Sequence, residues 1–359
     1  MTFTVYNQLS HSNDYVYKLI QLPSELVEYM KNEPDKPLQF KAPTNVKTQL
    51  AICTDTTTYN VRQMNHSNTQ LLMNDMAINK AGHTLAHTSM ANPAMQLLGI
   101  GLASYIYELS EVAGYIQTGD LPVYEGISSD LLQATKSVAD VRDDSTVAPK
   151  SFLSEWHALG GSTVDGKAVV LSSKLITEVL HTIISLMIAE DIESFKIEKM
   201  AVVVAEQNKL FTRDIVDTVA SKFSTTKEDV YSLDTERVAK WFGIETLRNQ
   251  KTAFTEKELL LAWKASLPPF YNASLDVKLL YGHFCRPSTD QIRYLRLESL
   301  SGNLHTRIKE MFQMVKEWEY DEFLPFVLSF VPASKKADSI ILKYARKKRV
   351  GRKVFVCPR

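Results

Sequence analysis

The residues best suited to bind a ligand are basic and lie near the end of the chain. Positions 343 to 353 read KYARKKRVGRK, which includes seven basic residues and no acid. The basic residues are Lys343, Arg346, Lys347, Lys348, Arg349, Arg352 and Lys353. Nucleic-acid phosphates need cations on a preformed surface, and contacts with phosphates carry no sequence information. The segment therefore predicts sequence-independent contact with DNA.

A helix followed by a tight turn is expected to present these cations. In a helix over 336–347, the apolar residues at 337, 340, 341 and 344 share one face, and Lys343, Arg346 and Lys347 lie opposite them. Gly351 then permits a tight turn into a basic hairpin. A nuclear localisation signal, or solvated charge at a helix C-terminus, remains the alternative interpretation of the segment.

No comparable arrangement predicts catalysis, metal binding or a cofactor. His83 and His87 are four residues apart, as two ligands on one helix would be, but no acid or thiol lies close to them in sequence. Gly99-Ile100-Gly101 lacks the third glycine of a dinucleotide fingerprint, and Gly160-Gly161-Ser162-Thr163 lacks the lysine of a phosphate-binding loop. We therefore expect a protein without catalytic, metal or cofactor residues.

Charge and cysteine content narrow the class of protein further. Residues 301–359 contain thirteen Lys or Arg against six Asp or Glu, and the rest of the chain contains 28 against 35. A basic end on an acidic body indicates nucleic acid, or an acidic partner, at that end. Cys53, Cys285 and Cys357 are far apart, which predicts neither disulfides nor zinc and favours a reducing compartment. Polar residues interrupt the most apolar stretch, 179–189, so no membrane span is expected.

The first 120 residues read as short strands. Runs rich in β-formers at 15–22, 38–40, 50–53, 58–61 and 69–73 are separated by Pro and Asn, and 97–112 allows either a strand pair or a helix. Few large apolar residues accompany them. We expect a small sheet or barrel that does not fold stably alone.

The remainder reads as helices with short strands between them. The segment 128–150 has little periodicity and is predicted to be a linker. Apolar stripes predict helices over 174–189 and 304–315, and Thr255 with Glu258 form a capping box before another helix. Helices over 321–330 and 336–347 and a strand at 354–356 follow. Three helices and then a strand is the winged-helix order, and the earlier helices repeat that pattern.

The predicted fold class is therefore α+β. A β-rich, barrel-forming assembly region occupies residues 1–120, and about three winged helices follow in tandem. The linker and the first winged helix occupy 121–210, the second winged helix 211–300, and the third, basic winged helix 301–359.

Five groups of residues, in this order along nearly the whole chain, resemble the Dcc (defective in sister chromatid cohesion) family, its fungal members in particular. They are Tyr17 to Leu22; His66 to Thr69 with Leu71 to Met73; Trp156-His157 with Gly160 to Ser162 and Asp165-Gly166; Leu267 to Phe270; and Lys343 to Gly351. Each group is short, and together they are fairly specific.

The resemblance implies a non-catalytic nuclear subunit. Family members join the large and small chromosome-transmission-fidelity subunits in an alternative replication factor C, which loads or unloads PCNA. Their N-terminal part shares a triple β-barrel with both partners, and winged helices follow. The assembly docks on the catalytic subunit of leading-strand DNA polymerase epsilon and contacts single- and double-stranded DNA, while the ATPase resides in other subunits. One alternative is a winged-helix scaffold subunit of another chromatin or transcription complex. A second is a metabolic or nucleic-acid enzyme whose site the sequence does not reveal.

Overall fold

The computed structural model describes residues 4–7, 17–43, 50–75, 96–127, 135–250, 252–331 and 336–359. These residues form an α+β fold, as the sequence predicts. The chain divides into two compact units, Met1–Asp120 with Lys136–Trp156, and Leu121–Thr135 with His157–Arg359. No helix within the described ranges is long and apolar enough to cross a membrane.

The first unit is built on one open sheet. Its elements up to residue 112 are β1 (Thr4–Asn7), β2 (Ile20–Gln21), α1 (Ser24–Asn32), β3 (Gln39–Lys41), β4 (Ala51–Cys53), β5 (Thr58–Asp75) and β6 (Gln96–Val112). The strand order is β1-β6-β5-β4-β3, and β2 also pairs with β6. Among the described strands β3 and β1 remain at opposite edges, so the predicted barrel is not closed by these residues alone.

Strands β5 and β6 form a long antiparallel ribbon that the sequence pattern divided incorrectly. Their register runs from Thr58 opposite Val112 to Asp75 opposite Leu97, with irregularities along the way. The separate strands predicted at 58–61 and 69–73 are one strand, and 97–112 is a single strand rather than a strand pair or a helix. Pairing with the neighbouring strand keeps polar stretches extended that an alternation pattern leaves out.

The segment predicted as a linker is packed structure where it is described. Helix α2 (Val138–Asp143) begins with a capping box between Ser137 and Asp140. After it, the backbone amide of Thr146 donates to the carbonyl of Tyr115 at 2.9 Å. The amide of Ala148 donates to Oγ1 of Thr58, also at 2.9 Å. Residues 136–150 therefore complete the first unit rather than connect two domains.

The second unit begins with β7 (Val123–Tyr124), which pairs with β9 of the hairpin β8 (Gly161–Val164) and β9 (Lys167–Leu171). Helix α3 (Phe152–Ala158) precedes that hairpin. The elements that follow are α4 (Ser173–Ala189), β10 (Phe195–Lys196), α5 (Ile197–Gln207), α6 (Arg213–Phe223), β11 (Ser224–Lys227), β12 (Val230–Leu233), α7 (Thr235–Asn249), β13 (Phe254–Thr255), α8 (Glu256–Ser266), a 3-10 helix (Val277–Leu280), β14 (Phe284–Ser288), β15 (Gln291–Tyr294), a 3-10 helix (Leu297–Ser299), α9 (Leu304–Met314), β16 (Trp318–Glu319), α10 (Tyr320–Val327), a 3-10 helix (Leu328–Phe330), α11 (Ala337–Tyr344), β17 (Ala345–Val350) and β18 (Lys353–Pro358).

One topology recurs three times in this order. A helix leads into a two-residue strand, helical segments follow, and a hairpin closes the repeat. The two-residue strand pairs with the second strand of the hairpin, which gives the sheets β10-β12-β11, β13-β15-β14 and β16-β18-β17. The leading helices are α4, α7 and α9.

Two hydrophobic cores support these repeats. Helix α4 has seven buried residues in the larger core, as its apolar stripe predicts. Helix α8 begins with the expected capping box, in which the Glu258 carboxylate accepts from the Thr255 amide at 2.8 Å. The smaller core belongs to the third repeat, and it also includes Cys285 and Leu295, which come from the hairpin of the second repeat. The second and third repeats therefore share buried residues.

Candidate nucleic-acid interface

The basic segment at the C-terminus is mostly a β-hairpin. Strands β17 and β18 pair from Ala345 opposite Pro358 to Val350 opposite Lys353, and β16 pairs with the other edge of β18. Gly351 occupies the two-residue turn with a φ of +60°, which only glycine adopts without cost. The tight turn predicted at this glycine is therefore present.

The predicted helix ends three residues earlier than the sequence indicates. Helix α11 stops at Tyr344, so Lys343 lies on the helix, while Arg346 and Lys347 lie on β17. Arg and Lys favour helices locally, but six cross-strand residue pairs with β18 require Ala345–Val350 to be extended. The interpretation of Lys343, Arg346 and Lys347 as one helical face is wrong. The other four basic residues lie on the hairpin, with Lys348 and Arg349 on β17, Arg352 in the turn and Lys353 on β18.

Lys347 is held by two groups on the helical side of the hairpin. Its Nζ lies 2.6 Å from Oδ1 of Asp338 and 3.8 Å from the centroid of the Tyr320 ring. The Tyr320 hydroxyl donates to the same Asp338 oxygen at 2.6 Å. The hydrogen bonds from Lys347 and Tyr320 lower the pKa of Asp338. Burial, followed by the Asp338 carboxylate, raises the pKa of Tyr320 to about 12. Lys347 therefore serves the packing of the third repeat.

Two further lysines pair with acids beside β16. Lys348 Nζ lies 3.0 Å from Oε1 of Glu317, and Lys353 Nζ lies 2.7 Å from Oε2 of Glu319. Side chains alternate between the two faces of a strand. Lys348 and Lys353 therefore lie on the face of the hairpin opposite to Lys347. Sequence reasoning missed these acids, although Glu317 and Glu319 flank Trp318 in a polar–apolar–polar pattern typical of a strand.

Four basic residues remain without an acidic partner. Lys343, Arg346, Arg349 and Arg352 are exposed, and within the described ranges none of them contacts a carboxylate. Arg349 makes a long contact of 3.4 Å from Nε to the carbonyl of Gly351. These four side chains, called the free cations below, are spread over the end of α11, one strand and the turn. They can donate hydrogen bonds to phosphate oxygens without first breaking an ion pair.

Other titratable groups serve packing. Lys222 donates to the carbonyl of Ala158 and lies 5.4 Å from the centroid of the Trp241 ring. Burial lowers the pKa of Lys222 to about 8. Cys53, Cys285 and Cys357 are buried free thiols. The part of the chain that the structure describes holds no group of three His, Cys, Asp or Glu that could bind a metal.

The remaining sequence candidates take ordinary structural positions. Gly160 turns the chain with a φ of +81° between α3 and β8, as a loop glycine does. Gly99 and Gly101 lie within β6. His83 and His87 fall outside the described residues.

Comparison with known proteins identifies relatives over nearly the full length. The sequence model of the family described as sister chromatid cohesion protein Dcc1 matches residues 17–327. The sister chromatid cohesion protein DCC1 of Saccharomyces cerevisiae is 28% identical over 370 residues, which cover 96% of this chain and 97% of that protein. The probable sister chromatid cohesion protein DCC1 of Dictyostelium discoideum is 20% identical over 385 residues, or 94% of this chain and 93% of that protein.

Proposed function

We propose a function from one premise: this chain belongs to the Dcc1 family of sister chromatid cohesion proteins. Its role is therefore related to cohesion. Our proposal is that it is a non-catalytic nuclear subunit of an alternative PCNA clamp loader. In that assembly it joins the large and small chromosome-transmission-fidelity subunits and contacts DNA polymerase epsilon and DNA.

The open sheet of the first unit supports an assembly role. Phe40 on β3 is 62% exposed and Leu102 on β6 is 57% exposed. Exposed apolar side chains on a sheet with unpaired edges are a liability that partner chains remove by covering them. We propose that strands from the two partner subunits add to this sheet and complete a barrel with it.

The recurring topology supports the proposal of tandem winged helices. In each repeat a short strand precedes helical segments and pairs with the second strand of a closing hairpin, and that hairpin corresponds to the wing. The domain boundaries at residues 210 and 300 remain predictions. Residue 210 lies between α5 and α6 within the first repeat, and the second and third repeats share buried residues.

A charged substitution on the exposed face of the sheet tests the assembly proposal. Leu102→Asp is expected to abolish a complex with the two partner subunits, because the aspartate would be desolvated in the completed barrel. The measurement is native mass spectrometry of the co-expressed subunits. The control is Leu261→Asp on α8, which is 71% exposed in the second unit and is expected to leave assembly intact. Absence of any complex between the wild-type chain and these subunits would favour the scaffold of another chromatin or transcription complex.

The free cations support DNA contact at the C-terminal hairpin. Lys343, Arg346, Arg349 and Arg352 are exposed and unpaired with acids, whereas three neighbouring lysines are neutralised within the fold. This contrast refines the proposed site from seven residues to four. Binding through phosphates is expected to be independent of sequence and to weaken with salt.

The salt dependence of duplex DNA affinity tests whether the free cations, and not the paired lysines, bind DNA. The quadruple variant with Gln at positions 343, 346, 349 and 352 is expected to flatten the slope of log affinity on log salt by roughly 0.9 per lost phosphate contact, or by up to about 3.6. The matched control carries Gln at the paired positions 347, 348 and 353, and a much smaller change is expected. An unchanged slope in the quadruple variant would leave the segment as a nuclear targeting signal.

A further inference from the structure

Phe270 is exposed to an unusual degree and has an unusual backbone. Its side chain is 93% exposed and its φ is +64°. The amide of Tyr271 donates to the carbonyl of Pro268 at 3.1 Å, which makes Pro268 to Tyr271 a four-residue turn. A positive φ at the third position, after a proline at the second, is the geometry of a type II turn, in which Gly or Asn normally stands. A bulky residue is therefore strained at this position.

The fold gains nothing from the aromatic ring. The turn is fixed from its two sides, because Leu267 is buried and Tyr271 packs against the larger core. Phe270 itself projects from this support into solvent. Strain without burial destabilises the chain, and residues in that condition cluster where a ligand is bound. The ring is therefore best explained by a contact outside the chain.

The surroundings indicate the chemistry of that contact. Helix α8 ends four residues before Phe270, and its exposed face carries Lys257, Leu261 and Lys264 at helical spacing. Neither lysine contacts a carboxylate within the described part of the chain. The two acids of the first helical turn are already engaged: Glu258 accepts from the Thr255 amide, and Glu256 pairs with Arg286 at 3.1 Å. The helix that leads into the turn thus presents two exposed cations ahead of an exposed aromatic ring, a combination that fits a charged ligand with planar apolar faces.

We propose that Phe270 stacks against a base of single-stranded nucleic acid, while Lys264 and Lys257 bind the phosphates beside that base. Single-strand binding of this kind combines aromatic stacking with a basic track and is tolerant of sequence. A duplex does not offer the same contact, because its bases already cover one another. This inference rests on the proposed DNA-binding function and adds a site on the second repeat that distinguishes single strands from duplexes.

The test compares single-stranded and duplex affinity in the full chain. Phe270→Asn is expected to weaken binding of a fluorescein-labelled thirty-nucleotide oligo-dT by at least about fivefold, since stacking of one base is worth about 1–3 kcal/mol. Duplex affinity is expected to stay unchanged, and the melting temperature is expected to stay equal or rise, because Asn tolerates a positive φ. Phe270→Trp is expected to retain single-strand affinity.

An exposed apolar residue elsewhere in the second unit supplies the control, because Val202 on α5 is 60% exposed. Val202→Asn is expected to leave oligo-dT affinity unchanged. Equal single-strand affinity in Phe270→Asn and the wild type would overturn the proposal and indicate that the ring serves a protein contact. An equal loss for duplex would also overturn it. The free-cation variant is measured with duplex DNA, whereas Phe270→Asn is measured with oligo-dT. An error in the proposed hairpin site and an error in the proposed stacking site therefore give different results.

Discussion

At the level of single residues, a partly buried ion pair joins the second and third repeats. Arg286 on β14 donates from Nε to Oε1 of Glu322 on α10 at 2.7 Å, and Glu322 is only 3% exposed. Burial raises the pKa of Glu322, and the neighbouring Arg286 opposes that rise. The pair holds the hairpin of one repeat against a helix of the next. Removal of the arginine would leave a carboxylate buried without its counterion.

Arg286→Met is therefore expected to lower the free energy of unfolding by about 3 kcal/mol at pH 7.5. A carboxyl with a higher pKa in the folded state costs stability above that pKa and recovers it as the pH falls. The deficit relative to the wild type should therefore shrink at pH 5. Urea denaturation at both pH values measures it. Arg296→Met, which breaks an exposed pair with Glu298, is the control and should change little. An equal deficit at both pH values would contradict this role for Glu322.

At the level of elements, α7 approaches its neighbours through a glycine. A Cβ at Gly243 would lie 2.7 Å from Cε2 of Trp263 on α8 and 2.6 Å from Cδ2 of Leu280. The Trp263 indole donates to the carbonyl of Ala239 at 2.8 Å, which fixes the ring against α7. The absence of a side chain at 243 therefore sets the distance between α7 and α8.

Gly243→Ala is expected to destabilise the protein although alanine favours helices. The gain in helix propensity is about 1 kcal/mol, and overpacking against a fixed indole costs about 1–3 kcal/mol. Thermal unfolding should show a net loss. Gly302→Ala is the matched control, because a Cβ there meets no heavy atom within 4 Å. A higher melting temperature for Gly243→Ala would mean that the ring moves at no cost.

Local patterns predicted the helices of the second unit better than its last strand pair. The stripe of α4 and the capping box of α8 are signals carried within one element, and both are confirmed. The basic run on β17 is different, because its residues favour a helix and only pairing with β18 makes them extended. The same limit hid the ion pairs of Lys348 and Lys353, whose acidic partners lie more than thirty residues away in sequence.

At the level of the whole molecule, the sequence predicted the α+β class but not the path of the chain. Residues 136–150 have little periodicity because they form a short helix and a buried turn rather than a long amphipathic element. Their contacts with Tyr115 and Thr58 depend on the folded sheet and leave no local signal. Similarly, the length of the β5–β6 ribbon follows from pairing between two distant segments.

This path has a consequence for synthesis of the protein. The chain leaves the first unit at residue 120, returns to it at 136 and leaves it again at 156. A ribosome therefore has to release about 44 residues beyond the long ribbon, which ends at Val112, before the first unit has all of its parts, and β7, made in that interval, waits for β9. At elongation rates of about 5–20 residues per second, the exposed apolar sheet stays incomplete for seconds. Chaperones and partner chains have their best access to it during that interval.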